Sequence, residues 1–279
     1  MTALDPETLT LAARWIRDSD ALLITAGAGM GVDSGLPDFR GTDGFWKAYP
    51  PFKEAGLEFH HLANISLFRS DPALAWGFYG HRLQLYRETA PHDGFQILRK
   101  WAEQCSAGYF VFTSNVDGQF ARAGFAESRI AECHGSIHFL QDIDDASSAI
   151  SPADHVSLRV DPATFRASAP LPERNGLLQR PSILMFNDVD WNPRRYLEQQ
   201  HRLYAWLKQI RGRRLTIIEL GAGCAIPTVR VFSETMALQN SAHLIRINPR
   251  DHDVPAPHTS LRAGAKETLQ QLDLALRAC

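Results

Sequence analysis

Apolar residues along this chain fall into two alternating rhythms. Behind Asp5-Pro6, Leu11, Ala12, Trp15 and Ile16 repeat at helical spacing. Asp can cap that helix, and Pro suits its first position. A short apolar run, ALLITA (21–26), follows and ends in glycines, which is the pattern of a buried strand. Similar runs recur at YFVFTS (109–114), SILMF (182–186), LTIIEL (215–220) and HLIRIN (243–248). Helical stretches lie between most of them, at 94–104, 194–210, 227–239 and 264–277. Strands alternating with helices predict an α/β fold, a Rossmann-like parallel sheet with helices on both faces. Two regions break the rhythm. Residues 45–90 are aromatic and helical in pattern, and 140–180 are polar and rich in Asp, Ser, Ala and Pro. Together they predict a smaller domain inserted into the sheet domain. The expected division is 1–44, 91–137 and 181–279 for the sheet domain, with 45–90 and 138–180 for the insert.

Composition narrows the function. The 279 residues are 44% hydrophobic, enough for one large core and a lesser one. Charge is nearly balanced, at 29 basic against 31 acidic residues, which argues against a nucleic-acid binder. No apolar run reaches 18 residues, so no membrane span is expected. The N-terminal stretch lacks the basic start and apolar core of a secretion signal. Four scattered cysteines without a CxxC pair fit a reducing cytoplasm.

Candidate chemistry begins after the first strand, at Gly27-Ala28-Gly29-Met30-Gly31. Glycines at a strand-to-helix turn let a diphosphate approach bare backbone N–H groups. The spacing is not GxGxxG, because Val32 takes the sixth place, and such a loop is equally consistent with a plain turn. Its continuation, Ser34-Gly35-Leu36-Pro37-Asp38-Phe39-Arg40-Gly41 and then Gly44-Phe45-Trp46, is a rigid, charged, aromatic segment able to close over a cofactor. Further on, Thr113-Ser114-Asn115-Val116-Asp117 ends a predicted strand, where open parallel sheets bind ligands. Asn115 can donate to and accept from a ribose hydroxyl or a water, and Asp117 can accept from a carboxamide. A helix cap with a turn would need the same residues. His134-Gly135 follows, one of eleven histidines.

Taken in order, these motifs resemble the sirtuin signature, over roughly residues 5–279. GAGMGVDSGLPDFRGTDGFW is similar to that family's GAG and SGIPDFR-like stretch with its Gly-Leu-Trp-like end. TSNVD is similar to Thr-Gln-Asn-Ile/Val-Asp, and His134-Gly135 to a His-Gly pair some twenty residues later. The resemblance implies NAD as co-substrate, cleaved at the nicotinamide–ribose bond, with ADP-ribose passed to the oxygen of an acyl-lysine. It implies that Gly27, Ala28 and Gly29 hold the diphosphate. Asp38, Phe39, Arg40 and Trp46 would form the closing segment, with Phe39 shielding the ribose carbon. Asn115 and Asp117 would contact ribose and the nicotinamide amide, and His134 would be the base. Neutral imidazole, with a pKa of about 6.5, suits that task. Ser114 replaces the family's Gln beside the ribose hydroxyls.

Later motifs extend the resemblance. Gly221-Ala222-Gly223, followed by Pro227, stands where a Gly-Thr-Ser segment lies beside the adenosine half, and two hydroxyls are missing. Asn248 of Ile247-Asn248-Pro249 corresponds to an adenosine-ribose contact, and Gly264-Ala265 to the segment closing on adenine. Arg180-Pro181-Ser182-Ile183-Leu184-Met185-Phe186-Asn187-Asp188 is similar to the Arg-Pro stretch that begins the acyl-peptide channel, with Asn-Asp in place of Gly-Glu. The family's four zinc cysteines have no counterpart between Gly135 and Arg180. No zinc site is therefore expected, and His138 and His155 with nearby acids are a poor substitute for four close N/S ligands. The implied partner is an acyl-lysine protein or peptide. Ser114, Asn187-Asp188 and the zinc-free insert leave one rival, ADP-ribosyl transfer or plain NAD hydrolysis at the same site; the lost Gln at Ser114 and the hydroxyls lost at Ala222 and Gly223 leave another, a non-catalytic NAD or ADP-ribose sensor.

Overall fold

The computed structural model describes residues 4–37, 45–46, 49–54 and 56–278. The expected cofactor residues Asp38, Phe39 and Arg40 lie outside the described residues. Helix α1 (Pro6–Arg17) is capped by the Asp5 carboxylate, which accepts from the Thr8 N–H. It leads into β1 (Ala21–Ala26) and the short α2 (Gly29–Val32). After it come α3 (Pro50–Glu54), α4 (Phe59–Leu62), α5 (Ile65–Ser70), α6 (Pro72–Glu88) and α7 (Asp93–Gln104). Next come β2 (Tyr109–Thr113), α8 (Gln119–Arg122), β3 (Ile130–Glu132), β4 (Gly135–Asp142), β5 (Ser151–Pro152), β6 (Glu173–Arg174) and β7 (Leu177–Ile183). The chain ends through α9 (Arg194–Gln209), β8 (Leu215–Leu220), α10 (Thr228–Asn240), β9 (His243–Ile247), β10 (Thr259–Leu261) and α11 (Ala265–Ala278).

Six strands form one sheet in the order β10-β9-β8-β1-β2-β3, and every pairing is parallel. Side chains of β1 alternate between its faces. Leu22, Ile24 and Ala26 pack with residues of α1, α7 and α11, whereas Ala21 and Leu23 pack with residues of α9 and α10. Burial on both faces explains why the strands read as continuous apolar runs.

The SILMF run differs from its expected setting. It overlaps β7, which pairs antiparallel with β4 in a second sheet ordered β5-β4-β7-β6. Only Cys133 and His134 separate β3 from β4. With no crossover helix between them, β4 cannot return parallel to the first sheet. The parallel sheet is completed instead by β3 and β10, three residues each.

A third core covers the second sheet. Phe45, Tyr49, Phe52, Phe68, Trp76, Phe78 and Tyr79 are buried there with Ile137, Leu140, Phe165 and Ile183. The polar stretch after β4 is tied on by side chains. Arg87 donates to the carbonyls of Val156 and Ala153 at 2.6 Å each, and Asn192 donates to Ser148 O at 2.7 Å. Arg174 pairs with Asp142 at 2.6 Å. A Cβ on Gly77 would lie 1.7 Å from Phe165 O, so α6 and the loop meet backbone to backbone.

Candidate active site

The carboxyl ends of β1, β2 and β3 open into a cleft of about 220 Å³ that also faces α6 and the segment after β7. Ala28, Ser114, Asn115, Asp117 and His134 line it with Tyr79, Arg82 and Ile183 to Phe186.

Two glycine loops meet around Ala28, which lines the cleft. A Cβ on Gly27 would come within 2.8 Å of the Ala222 Cα, and one on Gly29 within 2.7 Å of the Gly221 Cα. Gly221 has φ +59°, and its own Cβ would fall 2.4 Å from Gly29. The Gly27 N–H donates to Leu220 O at 2.9 Å, and the Gly29 N–H to Gly221 O at 3.0 Å. These glycines therefore allow backbone-to-backbone contact between the loops, and all three of their amides are already engaged within the protein, that of Gly221 by Ile247 O at 2.9 Å.

The loop after β2 is fixed by short bonds. The Thr113 hydroxyl donates to Ala26 O at 2.9 Å and accepts from the Asn115 N–H at 3.0 Å. The Asn115 side-chain amide donates to Gly27 O at 2.9 Å. That bond orients the Asn115 side chain and leaves its carbonyl oxygen as the acceptor. Asp117 is buried and accepts from the Gln119 N–H at 2.9 Å. Removal from water pushes its carboxyl up to about 6, with the Gln119 N–H opposing and the Glu132 charge adding to the rise. His138 donates to Asp117 O at 2.9 Å, a structural bond that occupies one of its ring nitrogens.

His134 is half-buried on the two-residue joint between the sheets. Its flanks are pinned, since Cys133 N–H donates to Thr113 O at 2.9 Å and Leu184 N–H donates to His134 O at 3.0 Å. Gly135 has φ +78°, and a Cβ there would lie 2.1 Å from Ser182 O. The His-Gly pairing thus follows from the close crossing with β7.

The remaining expected contacts are placed elsewhere. Trp46 donates its indole N–H to Leu57 O at 3.0 Å and joins the aromatic core rather than the cleft lining. Gly221, Ala222 and Gly223 lie on the β8 side of the sheet edge. Asn248 donates to Ala222 O at 2.9 Å and accepts from the N–H groups of Arg250 and Asp251 at 2.9 and 3.0 Å. It therefore holds two loops together. Ala265 opens α11, where the Asp33 carboxylate accepts from the Lys266 N–H at 2.8 Å.

Arg82 was not anticipated. It is 5% exposed, and its guanidinium donates to the Tyr86 hydroxyl at 2.8 Å and lies 5.2 Å from the Phe78 ring centre. Phe78, Arg82 and Tyr86 stand four residues apart, so one cation among aromatics on one helix face was the available signal. The departures at 187 and 188 also have a physical reading. Asn187 has φ +56°, a region that Asn tolerates best after Gly. Asp188 binds buried Arg180 through two bonds of 2.7 and 2.8 Å, which fixes the segment lining the cleft.

Comparison with known proteins gives this arrangement a family. The model of the Sir2 family matches residues 27–207. The chain belongs to the Sir2 family. Among its Sir2 relatives, an NAD-dependent protein deacylase of Deinococcus radiodurans is 28% identical over 95% of this chain and 98% of its own. An NAD-dependent protein deacylase of Aquifex aeolicus is 26% identical over 82% and 84%. A probable bifunctional ADP-ribose hydrolase/ADP-ribosyltransferase of Fusarium oxysporum f. sp. cubense is 29% identical over 80% of this chain but 38% of its own. A mutant Sir2 homologue in complex with ADP-ribose shares the fold, with a TM-score of 0.69 at 24% identity over 98% and 97% of the two chains. As for metal, no group of three or more His, Cys, Asp or Glu among the described residues is placed to hold an ion. No described helix is long and apolar enough to cross a membrane.

Proposed function

We propose that this Sir2 protein is an NAD-dependent protein deacylase that removes acyl groups from lysine. One observation carries the reading: Ala28, Ser114, Asn115, Asp117 and His134, drawn from three separate segments, line a single cleft. The donor set fits the dinucleotide. Asp117 offers an acceptor for a carboxamide, Asn115 an acceptor for a ribose hydroxyl, and His134 a base at the joint between the sheets. Bound there, the dinucleotide supplies an ADP-ribosyl group on loss of nicotinamide. His134 would take the ribose proton, and the apolar side chains from Leu184 to Phe186 would border the reacting end of the dinucleotide. Asp38, Phe39 and Arg40 would close the nicotinamide side. Gly221, Ala222, Gly223, Asn248 and Ala265 would shape the adenosine side.

The reading assigns 1–44, 91–137 and 181–279 to dinucleotide binding, and 45–90 with 138–180 to the acyl side. Sparse cysteines fit a cytoplasmic setting. On the acyl side, the Arg82 guanidinium sits in an otherwise apolar wall. A chain ending in a carboxylate would match that charge. Ser114 favours a second reading, because its short side chain stands where the family motif carries Gln. More room beside the ribose favours water as acceptor, and hence NAD hydrolysis or ADP-ribosyl transfer.

Mass spectrometry of NAD products, with lysine peptides bearing neutral and carboxylate-ended acyl groups, tests both. The expected result is peptide-dependent nicotinamide release, fastest for carboxylate-ended groups, and reduced at least about 100-fold by His134→Ala. In Arg82→Met the carboxylate preference should disappear. Nicotinamide release indifferent to peptide would reject deacylation in favour of the second reading.

A further inference from the structure

The near balance of charge over the whole chain hides one uneven stretch. Residues 194–214, which span α9 and the turn into β8, hold seven Lys or Arg against a single Glu. Two of these cations are paired, Arg195 with Glu132 and Arg214 with Asp20. Among the described residues, Lys208, Arg211 and Arg213 take part in no ion pair, and all three are exposed. They gather around a cavity of about 610 Å³ at the foot of the sheet. Leu215, the first residue of β8, lines it, so the cavity opens at the amino end of that strand. The six residues of β8, about 20 Å at about 3.3 Å each, separate this end from the one that carries the glycine loops.

The ends of two helices frame the cavity. After α9 the chain turns through Arg211-Gly212-Arg213, where the Arg213 N–H donates to Ile210 O at 2.9 Å and Gly212 has φ +79°. Helix α10 finishes at Ser241, with φ +50°. Helix carboxyl ends carry about half a negative charge each, so cations near them have an ordinary use. Here that use is exceeded. Two ends bring about one negative charge, against three positive side chains and no acidic lining residue. A net positive charge of about two is left for an anion. The floor is apolar, from buried Leu207 and Met236. Tyr204 also lines the cavity with 47% of its surface exposed, and among the described residues it stacks on no other ring. An open aromatic face beside free cations suits a ligand that is flat at one end and charged at the other.

We propose that this cavity binds a nucleoside phosphate, its base against Tyr204 and its phosphates among Lys208, Arg211 and Arg213. A base stacks on an aromatic face whatever its hydrogen-bonding edge, and the planar guanidinium matches phosphate oxygens two at a time. The volume suits one small ligand, since such sites run to about 300–1,000 Å³. An acidic peptide would use the cations but leave the apolar floor and the ring unfilled. The site stands at the opposite end of the strands from the cleft, and it does not depend on the activity proposed there.

The test is calorimetry of the whole protein with ATP, adenosine, tripolyphosphate and a short oligothymidylate. The variants are Tyr204→Ala and the double Arg211→Gln/Arg213→Gln, all at exposed positions, so an unchanged unfolding midpoint is expected of each. ATP is expected to bind at least about tenfold more tightly than adenosine or tripolyphosphate. Y204A should weaken ATP about tenfold, and the double variant at least about tenfold. Equal ATP affinity in the wild type and both variants would overturn the proposal, because the nucleotide would then sit elsewhere, the cleft included. Tripolyphosphate binding as tightly as ATP would overturn it too, leaving an anion patch with no role for the base. So would an oligothymidylate that binds when ATP does not, which would make this face a surface for single strands.

Discussion

Asp117 shows how much one buried carboxyl can reveal. Its value of about 6 stands well above the ordinary 3.8, because burial disfavours the charged form. In the ligand-free fold the protonated acid therefore persists up to about pH 6, where an exposed carboxyl would already be ionised. Its contribution to stability is complete below 3.8 and is lost as pH rises through about 6. Binding runs the other way, since a carboxylate accepts a carboxamide N–H more strongly than the neutral acid does. Affinity for NAD is expected to rise several-fold from about pH 5 to about pH 7. ADP-ribose, which lacks the carboxamide, should change little in that window. Titration calorimetry of both ligands checks this, and Asp117→Asn should flatten the NAD profile. The residues of the cleft were legible in sequence because Asn115, Asp117 and His134 each sit in a short motif. Arg82 was not, since its environment is built by a helix whose partners are distant in sequence.

At the scale of elements, the segment after β7 depends on a pair of charges hidden from water. Arg180 and Asp188 have fully buried side chains, and Asp188 also accepts from the Met185 N–H at 3.2 Å. Removing one partner strands the other charge in the core. Asp188→Ala is expected to lower stability by about 3–5 kcal/mol, read from the urea midpoint at unchanged slope. Sequence presented Asn187-Asp188 as a departure, although αL geometry and the Arg180 pair account for both residues. Long elements such as β1, β8, α7 and α9 were readable from periodicity. By contrast, β3 and β10 are too short to carry a period, and β7 resembles any other apolar run until its partner is known.

Across the whole molecule, the second sheet and its loops are held by aromatic packing and side-chain bonds to carbonyls. Arg87→Met removes two such bonds and is expected to cost about 1–3 kcal/mol, seen as a lower unfolding midpoint. Prolonged treatment with a metal chelator should leave that midpoint unmoved. No periodicity foretold this network, because Arg87 and Asn192 reach loops far along the chain. The two-residue joint carrying His134 has one last implication. An imidazole mounted between two plates turns with any rocking of one against the other. If His134 is the base proposed above, it is aligned only when both halves are seated, and a guest that wedges them apart is expected to switch the chemistry off without touching the imidazole.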